Sequence, residues 1–335
     1  MLTFVIRRVL FAIPTLLLIS LVIFLIVDLA PGGPGANIPL TIPPAVRAQI
    51  LEAMGANDPL MTRYLLWLKQ FFYIEPAHIL NGWWGTHFAE GAPRILSWES
   101  RQPVFDVIAE RIPQTLTVIG TAYIVAILIA VPIGVYSAYR QYSWFDQLGT
   151  FIALVGYSVP TFFTGFLVIV IFAINLQWFP TIYDTTLQVT DWDSFVRQLR
   201  QMVMPVAVLA LFNAAEISRF TRAAMLENLS QDYVRTARAK GMSERTVVLK
   251  HVLRNSMIPV VTVIALGIPN IFGGAIITET LFAINGIGGA VIGAIKASDL
   301  PMLQTLTFIF AVLIVLFNLI ADILYGILDP RIRYD

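Results

Sequence analysis

From Val9 to Leu29 the chain reads VLFAIPTLLLISLVIFLIVDL, with a single charged residue, Asp28. A helix needs about 20 apolar residues to cross a bilayer. Arg7 and Arg8 precede this run, and Pro31-Gly-Gly-Pro34 follows it in place of a small-residue cleavage site, so it reads as a retained first helix rather than a signal peptide. Five more segments share its character: about Pro113 to Tyr136, Gly149 to Leu176, Val203 to Ser218, Met257 to Phe282 and Leu303 to Tyr325. The fourth is short and partly polar, and a count without it gives five. Charged residues make up only 13% of the chain, against about 25% in soluble domains. Mean hydropathy is +0.76. These values exclude a soluble globular enzyme and a disordered chain, and a net charge of +1 offers no bulk attraction for nucleic acid. Cysteine is absent, which removes disulfides, thiolate nucleophiles and thiolate metal sites. The expected fold is an all-α polytopic membrane protein with six transmembrane helices.

Lys and Arg in the connecting segments set the orientation. With the N-terminus in the cytoplasm, segments 1–8, 137–148, 219–256 and 326–335 lie inside and carry 13 of the 22 basic residues. The outside segments, 30–112, 177–202 and 283–302, are almost twice as long in total and carry 9. Both termini are therefore expected in the cytoplasm. The chain divides into residues 1–29 (N-terminus and first helix), an extracytoplasmic cap loop 30–112, a five-helix core 113–325 that includes the inner loop 219–256, and a cytoplasmic tail 326–335.

Two loops carry information. The first outer loop holds seven acidic and six basic residues together with Trp67, Trp83, Trp84 and Trp98. Between Pro59 and Tyr73 its apolar residues recur at helical spacing. It reads either as a cap bracing the bundle or as a docking surface for an extracytoplasmic partner, with Trp83 and Trp84 as contacts. The inner loop centres on Ser230-Gln-Asp-Tyr-Val-Arg-Thr-Ala-Arg-Ala-Lys-Gly241. Ser230 is the expected N-cap, Asp232 suits the positive helix start, and Arg235, Arg238 and Lys240 suit the negative end. Gly241 is expected in the left-handed conformation, with a second helix starting at Ser243. Plain positive-inside charge accounts for the basic residues but not for Ala237, Ala239 and Gly241, small residues that would let another protein approach closely.

At this loop the chain resembles the permease subunits of bacterial ATP-binding-cassette importers. The stretch DYVRTARAKG, followed by His251-Val-Leu-Arg-Asn-Ser-Met-Ile-Pro259, is similar to the dipeptide, oligopeptide and nickel branch. Further matching elements are Ile6-Arg-Arg8, Ile13-Pro-Thr15, Ala30-Pro-Gly32, Pro103-Val104, Arg111-Ile-Pro-Gln-Thr115, Gly134-Val135-Tyr136, Glu279-Thr280, Asn285-Gly-Ile-Gly288 and Asp329-Pro-Arg-Ile-Arg-Tyr334. Order and spacing make these strong together, and the length and start resemble the first of two such permeases. Gly33-Pro34 and the stretch from Gly82 to Glu99 depart from the family pattern.

The resemblance implies a type I importer permease fold and a bacterial inner-membrane location. It also implies a second homologous permease, two ATPase subunits that bind ATP and Mg, an extracytoplasmic binding protein, and surrounding membrane lipids. Asp232, Tyr233, Arg235, Thr236, Ala237, Arg238, Ala239, Lys240 and Gly241 would form the ATPase-coupling loop. The chain itself has no nucleotide-binding motif, so no catalytic residue, cofactor or metal is expected in it. Ionisable and polar groups within spans mark pathways or partnered sites. Glu279, Asn270, Glu216 and Asp322 are the candidates; Asp28 lies close enough to a helix end to reach water. Glu216 has Arg219 three residues on as a local partner, and Asp322 has the basic tail. An ion-coupled secondary transporter is the alternative, although only the fifth span, with Gly267, Pro269, Gly273 and Gly274, looks broken.

Overall fold

The computed structural model describes residues 2–29, 43–46, 48, 58–272 and 275–328. These residues form helices and loops; among them one isolated bridge, Leu96 to Pro103, is the only β pairing. In chain order the helices are α1 (Leu2–Asp28), α2 (Leu60–Trp84), α3 (Val104–Tyr139), α4 (Trp144–Ser158), α5 (Thr161–Asn175) and α6 (Trp192–Leu229). They continue with α7 (Asp232–Ala239), α8 (Glu244–Phe272), α9 (Ile276–Phe282), α10 (Ile287–Lys296) and α11 (Leu300–Leu328). Short π-helical segments interrupt α2, α3 and α8 without ending them, and a seven-residue one forms the end of α5.

Five stretches are long and apolar enough to cross a membrane: Ile6–Asp28, Val104–Tyr139, Trp192–Leu229, Glu244–Pro269 and Leu300–Leu324. Two bent pairs also pass together, α4 with α5 at 103° and α9 with α10 at 92°. The structure thus corrects three of the six expected spans. The third is not one helix: Pro160 has no N–H to continue the ladder, and Val159 before it is extended at φ −83°, ψ 125°. The fourth is not short: polar turns extend its apolar middle into a 38-residue helix, opened by a capping box between Asp191 and Ser194. The fifth ends at Phe272, and the short α9 resumes after 273–274, which lie outside the described residues.

The chain forms two compact units. One comprises Met1–Val9, Gln114–Gly288 and Ile314–Asp335; the other comprises Leu10–Pro113 and Gly289–Leu313. In the first unit α3 packs along α6, through small residues at four-residue spacing: Ala122, Ala126, Ala130 and Gly134. Small side chains let helix backbones approach closely where lipid supplies no hydrophobic drive. Three apolar clusters stack along this pair. Val118, Met204, Val208 and Phe282 lie at one end, Ala122, Tyr123, Leu209 and Ile217 in the middle, and Ala138, Met225, Val234 and Val252 at the other end. The second unit has an aromatic core in which Trp67 and Phe71 of α2 pack on Phe308 of α11, with ring centroids 5.2 and 4.8 Å apart.

Candidate functional site

The sequence-predicted loop folds as a short helix seated on the end of the first unit. Val234 and Ala237 are buried against Ala138, Met225, Val247, Val248 and Val252. Ala237 is therefore part of the apolar base, not of an exposed small-residue face. Asp232, Arg235, Thr236, Ala239 and Lys240 are exposed. Tyr233 is half-buried and donates to Asn228 Oδ1 at 2.9 Å. Ser230 does not cap this helix; it closes α6, its hydroxyl donating to the Glu227 carbonyl at 2.8 Å, and Gln231 occupies the N-cap position.

The C-terminal turn of α7 is as expected. Gly241 has φ +76°. Its N–H donates to Arg238 O at 2.9 Å, and the Met242 N–H donates to Ala237 O at 3.4 Å. This pair of bonds is a Schellman motif, and Met242 packs into the same apolar base. Ser243 then caps α8 through the Thr246 N–H. Arg238 ties the two helices together by donating to both Glu244 carboxylate oxygens, at 2.6 and 3.2 Å, and this bonding pushes its pKa further up. The α6 helix that leads into the knob is tied to α4: Arg222 of α6 grips Asp146 of α4 at 2.6 and 2.8 Å, and Asp146 also accepts from Tyr142 N–H.

The polar residues expected within spans lie elsewhere. Glu279 on α9 is 1% exposed and accepts from Thr115 Oγ1 at 2.9 Å. Thr115 in turn accepts from Ile287 N–H, and Gln114 Oε1 accepts from Asn285 N–H. Gln114, Thr115, Glu279, Asn285 and Ile287, drawn from three of the motif stretches, thereby meet, a convergence that their separation in sequence hides. Arg219 does not pair with Glu216; its guanidinium lies over the Tyr157 ring, 5.3 Å from the centroid. Asp322 pairs with Arg8 at 3.2 Å; the basic tail expected as its partner lies outside the described residues. Asp28 pairs with Arg63. Asn270 belongs to α8, but its side chain is outside the described residues.

In the second unit Trp83 and Trp84 end α2 and are 76% and 72% exposed. Sequence reasoning missed the clasps beneath them. Arg94 reaches Asp106 and the fully buried Glu75 at 2.8 Å each, bonds that push its pKa above the ordinary value, chiefly through Asp106. Buried Asp299, which accepts from Met302 N–H at the start of α11, also accepts from Ser97 Oγ and from the Trp98 and Glu99 N–H groups. Single charges in a long loop gave no sequence signal for either clasp. Among the described residues no group of three His, Asp or Glu is arranged to hold a metal.

These features describe a multi-pass helical membrane protein. Residues 130–334 match the family described as the binding-protein-dependent transport system inner membrane component, and residues 1–119 match its N-terminal family. The chain belongs to this family of ATP-binding-cassette permeases and is a multi-pass inner-membrane protein. It is 39% identical to the oligopeptide transport system permease protein AppB of Bacillus subtilis, with full coverage of both chains. It is 36% identical to the glutathione transport system permease protein GsiC of Salmonella typhimurium, again over 100% of each chain. The dipeptide transport system permease protein DppB of Alkalihalophilus pseudofirmus matches at 36% over the full length of both chains. A solved amino acid transporter of the ATP-binding-cassette class aligns with 68% of this chain and 95% of its own at 13% identity and a TM-score of 0.45.

Proposed function

We propose that this chain is the first of two homologous permeases in an importer of peptides or similar small solutes. Two separate ATPase subunits bind ATP and Mg, and an extracytoplasmic protein delivers the solute. Six crossings fit this reading if α4 and α5 form one broken span and α9 and α10 a re-entrant hairpin, with both termini cytoplasmic. Trp83 and Trp84, presented at the end of α2, contact the binding protein. Glu279, Asn270, Glu216 and Asp322 serve the pathway or the contact with the second permease. The relatives named for oligopeptide, dipeptide and glutathione transport support the substrate class.

The observation that carries the mechanism is the α7 knob: a polar outward face locked over an apolar base by a left-handed turn. An ATPase groove that grips this face moves it as a rigid piece, and through Arg222–Asp146 and the Val247–Val252 packing the motion reaches α4, α6 and α8 together. ATP binding and release then bias two arrangements of the bundle. Gly241→Val tests this. Nothing lies within 4 Å of a Cβ built there, so the variant changes only backbone preference; a β-branched residue in the left-handed region costs about 1–3 kcal/mol. In proteoliposomes with its partners, Gly241→Val is expected to assemble and hydrolyse ATP but to lose solute-stimulated transport, while Gly241→Asn retains most of it. Equal transport by wild type and Gly241→Val sinks the coupling role.

A further inference from the structure

The first half of α2 lies in the expected extracytoplasmic cap loop, and its contacts are with the apolar helices α1 and α11. The Tyr64 hydroxyl sits 2.8 Å from Ser20 Oγ and donates to Leu17 O at 3.3 Å. Ser20 is eight residues inside the end of α1 at Asp28, a depth of about 12 Å at 1.5 Å per residue. Trp67 and Phe71 contact Phe308, which lies eight residues inside the start of α11, again about 12 Å. Two independent helices thus place the inward face of α2 at the same depth within apolar spans. Arg63 marks the boundary, since it reaches Asp28 where α1 ends.

The sides of α2 flanking this inward face differ in chemistry. Met61, Leu65, Leu68 and Phe72 fall on one flank by their helical spacing, and Met61, Leu65 and Phe72 are 56%, 57% and 51% exposed. Arg63 and Gln70 fall on the opposite flank, and Thr62 and Lys69 are exposed on the outward side. On α1, Leu18, Val22 and Ile26 are likewise exposed. Beyond Phe72 the character changes: Glu75, Arg94 and Asp106 form their charged clasp.

We propose that residues Leu60–Phe72 form an amphipathic helix lying in the membrane interface, with Met61, Leu65, Leu68 and Phe72 in the acyl chains of the leaflet that receives the end of α1. A helix with one apolar flank and a basic-polar opposite flank buries the former roughly 5–10 Å into the headgroup and acyl boundary. Lys69 extends its charged end to water along its aliphatic stem, while Arg63 keeps its own on Asp28 at the end of α1. The Trp pair at the far end of α2 is left in the aqueous phase. Identifying that leaflet as the outer one rests on the orientation proposed above.

The experiment uses the absence of cysteine. Leu65→Cys, in a complex whose partner subunits carry no cysteine, is labelled with an environment-sensitive fluorophore and reconstituted in lipid nanodiscs. Labels at Leu18→Cys and Trp84→Cys are the acyl-chain and aqueous references. Brominated phosphatidylcholine is expected to quench the Leu65 label to the same extent as the Leu18 label, and dissolved iodide to quench only the Trp84 label. Iodide quenching at Leu65 without an effect of brominated lipid overturns the proposal. So does insensitivity to both quenchers, which means a protein neighbour, or shielding that appears only when binding protein is added. An inverted chain would instead leave lipid quenching intact and show itself as outside labelling at Lys240.

Discussion

At the scale of single residues, the Glu279 cradle shows how tightly a buried carboxylate is fitted. A Cβ at Gly286 would come 2.3 Å from Glu279 Oε1 and 2.5 Å from Thr115 Oγ1. A Cβ at Gly288 would likewise come 2.7 Å from Glu279 Oε2, so the carboxylate fits only because both positions are glycine. Overpacking of this kind costs about 1–3 kcal/mol, and here it also displaces the Thr115 hydrogen bond. Gly286→Ala is expected to lower the thermal midpoint of the purified complex, whereas Gly293→Ala, facing open space, leaves it unchanged. Indistinguishable midpoints for the two variants would contradict the cradle. The turn at Gly241 was legible in the sequence because its requirement is local: a basic last turn, then a residue free to take φ > 0. The partners of Asp28, Arg219 and Asp322 were not legible, since each is chosen by packing between segments remote in the chain.

At the scale of elements, apolar runs announce helices but not their breaks. Pro14, Pro132, Pro205, Pro259 and Pro269 all sit inside continuous helices, while Pro160 ends one. The chemistry of the residue is the same in each case. Prolines are tolerated inside membrane helices where surrounding groups satisfy the freed backbone, a tertiary matter that sequence does not display. The resulting α4 is held by one ion pair to α6, with the Asp146 side chain only 4% exposed and Arg222 29%. Removing one partner from such a pair strands the other, at about 3–5 kcal/mol for full burial; the partial exposure of Arg222 places this case near the lower figure. Arg222→Met should therefore markedly destabilise the complex in detergent, and Asp146→Asn in the same chain should recover much of the loss. If the double variant is no more stable than Arg222→Met alone, the two residues are not a coupled clamp.

At the scale of the whole molecule, the first unit separates two sets of loops. Thr185, Phe282 and Asn285 gather with Gln114 at one end, and Tyr142, Asp146 and the α7 knob at the other. This pairing agrees with the grouping that basic-residue density makes, and it required no knowledge of the fold: charge bias in short loops is a property of the segments themselves. Which end faces the cytoplasm is open to direct measurement. Membrane-impermeant thiol reagents applied to intact cells should label Asp191→Cys and Trp84→Cys but not Lys240→Cys. The reverse pattern would invert the orientation and, with it, the assignment of α7 to the ATPases.

The second unit joins the beginning of the chain to its end: Asp299 holds Ser97 and the Trp98 and Glu99 N–H groups, and Phe308 completes the aromatic core around Trp67. During synthesis, the first hundred residues emerge long before these partners exist. At about 5–20 residues per second, the interval is roughly ten to forty seconds. Through that time Glu75 and Arg94 can find each other, but the Asp299 clasp cannot close and Trp67 has no Phe308 to cover it. A nascent or truncated chain lacking α11 therefore displays an unfinished aromatic surface. Burial of Trp67 and Phe71 against Phe308 is therefore a late event, which can follow only once α11 has been made.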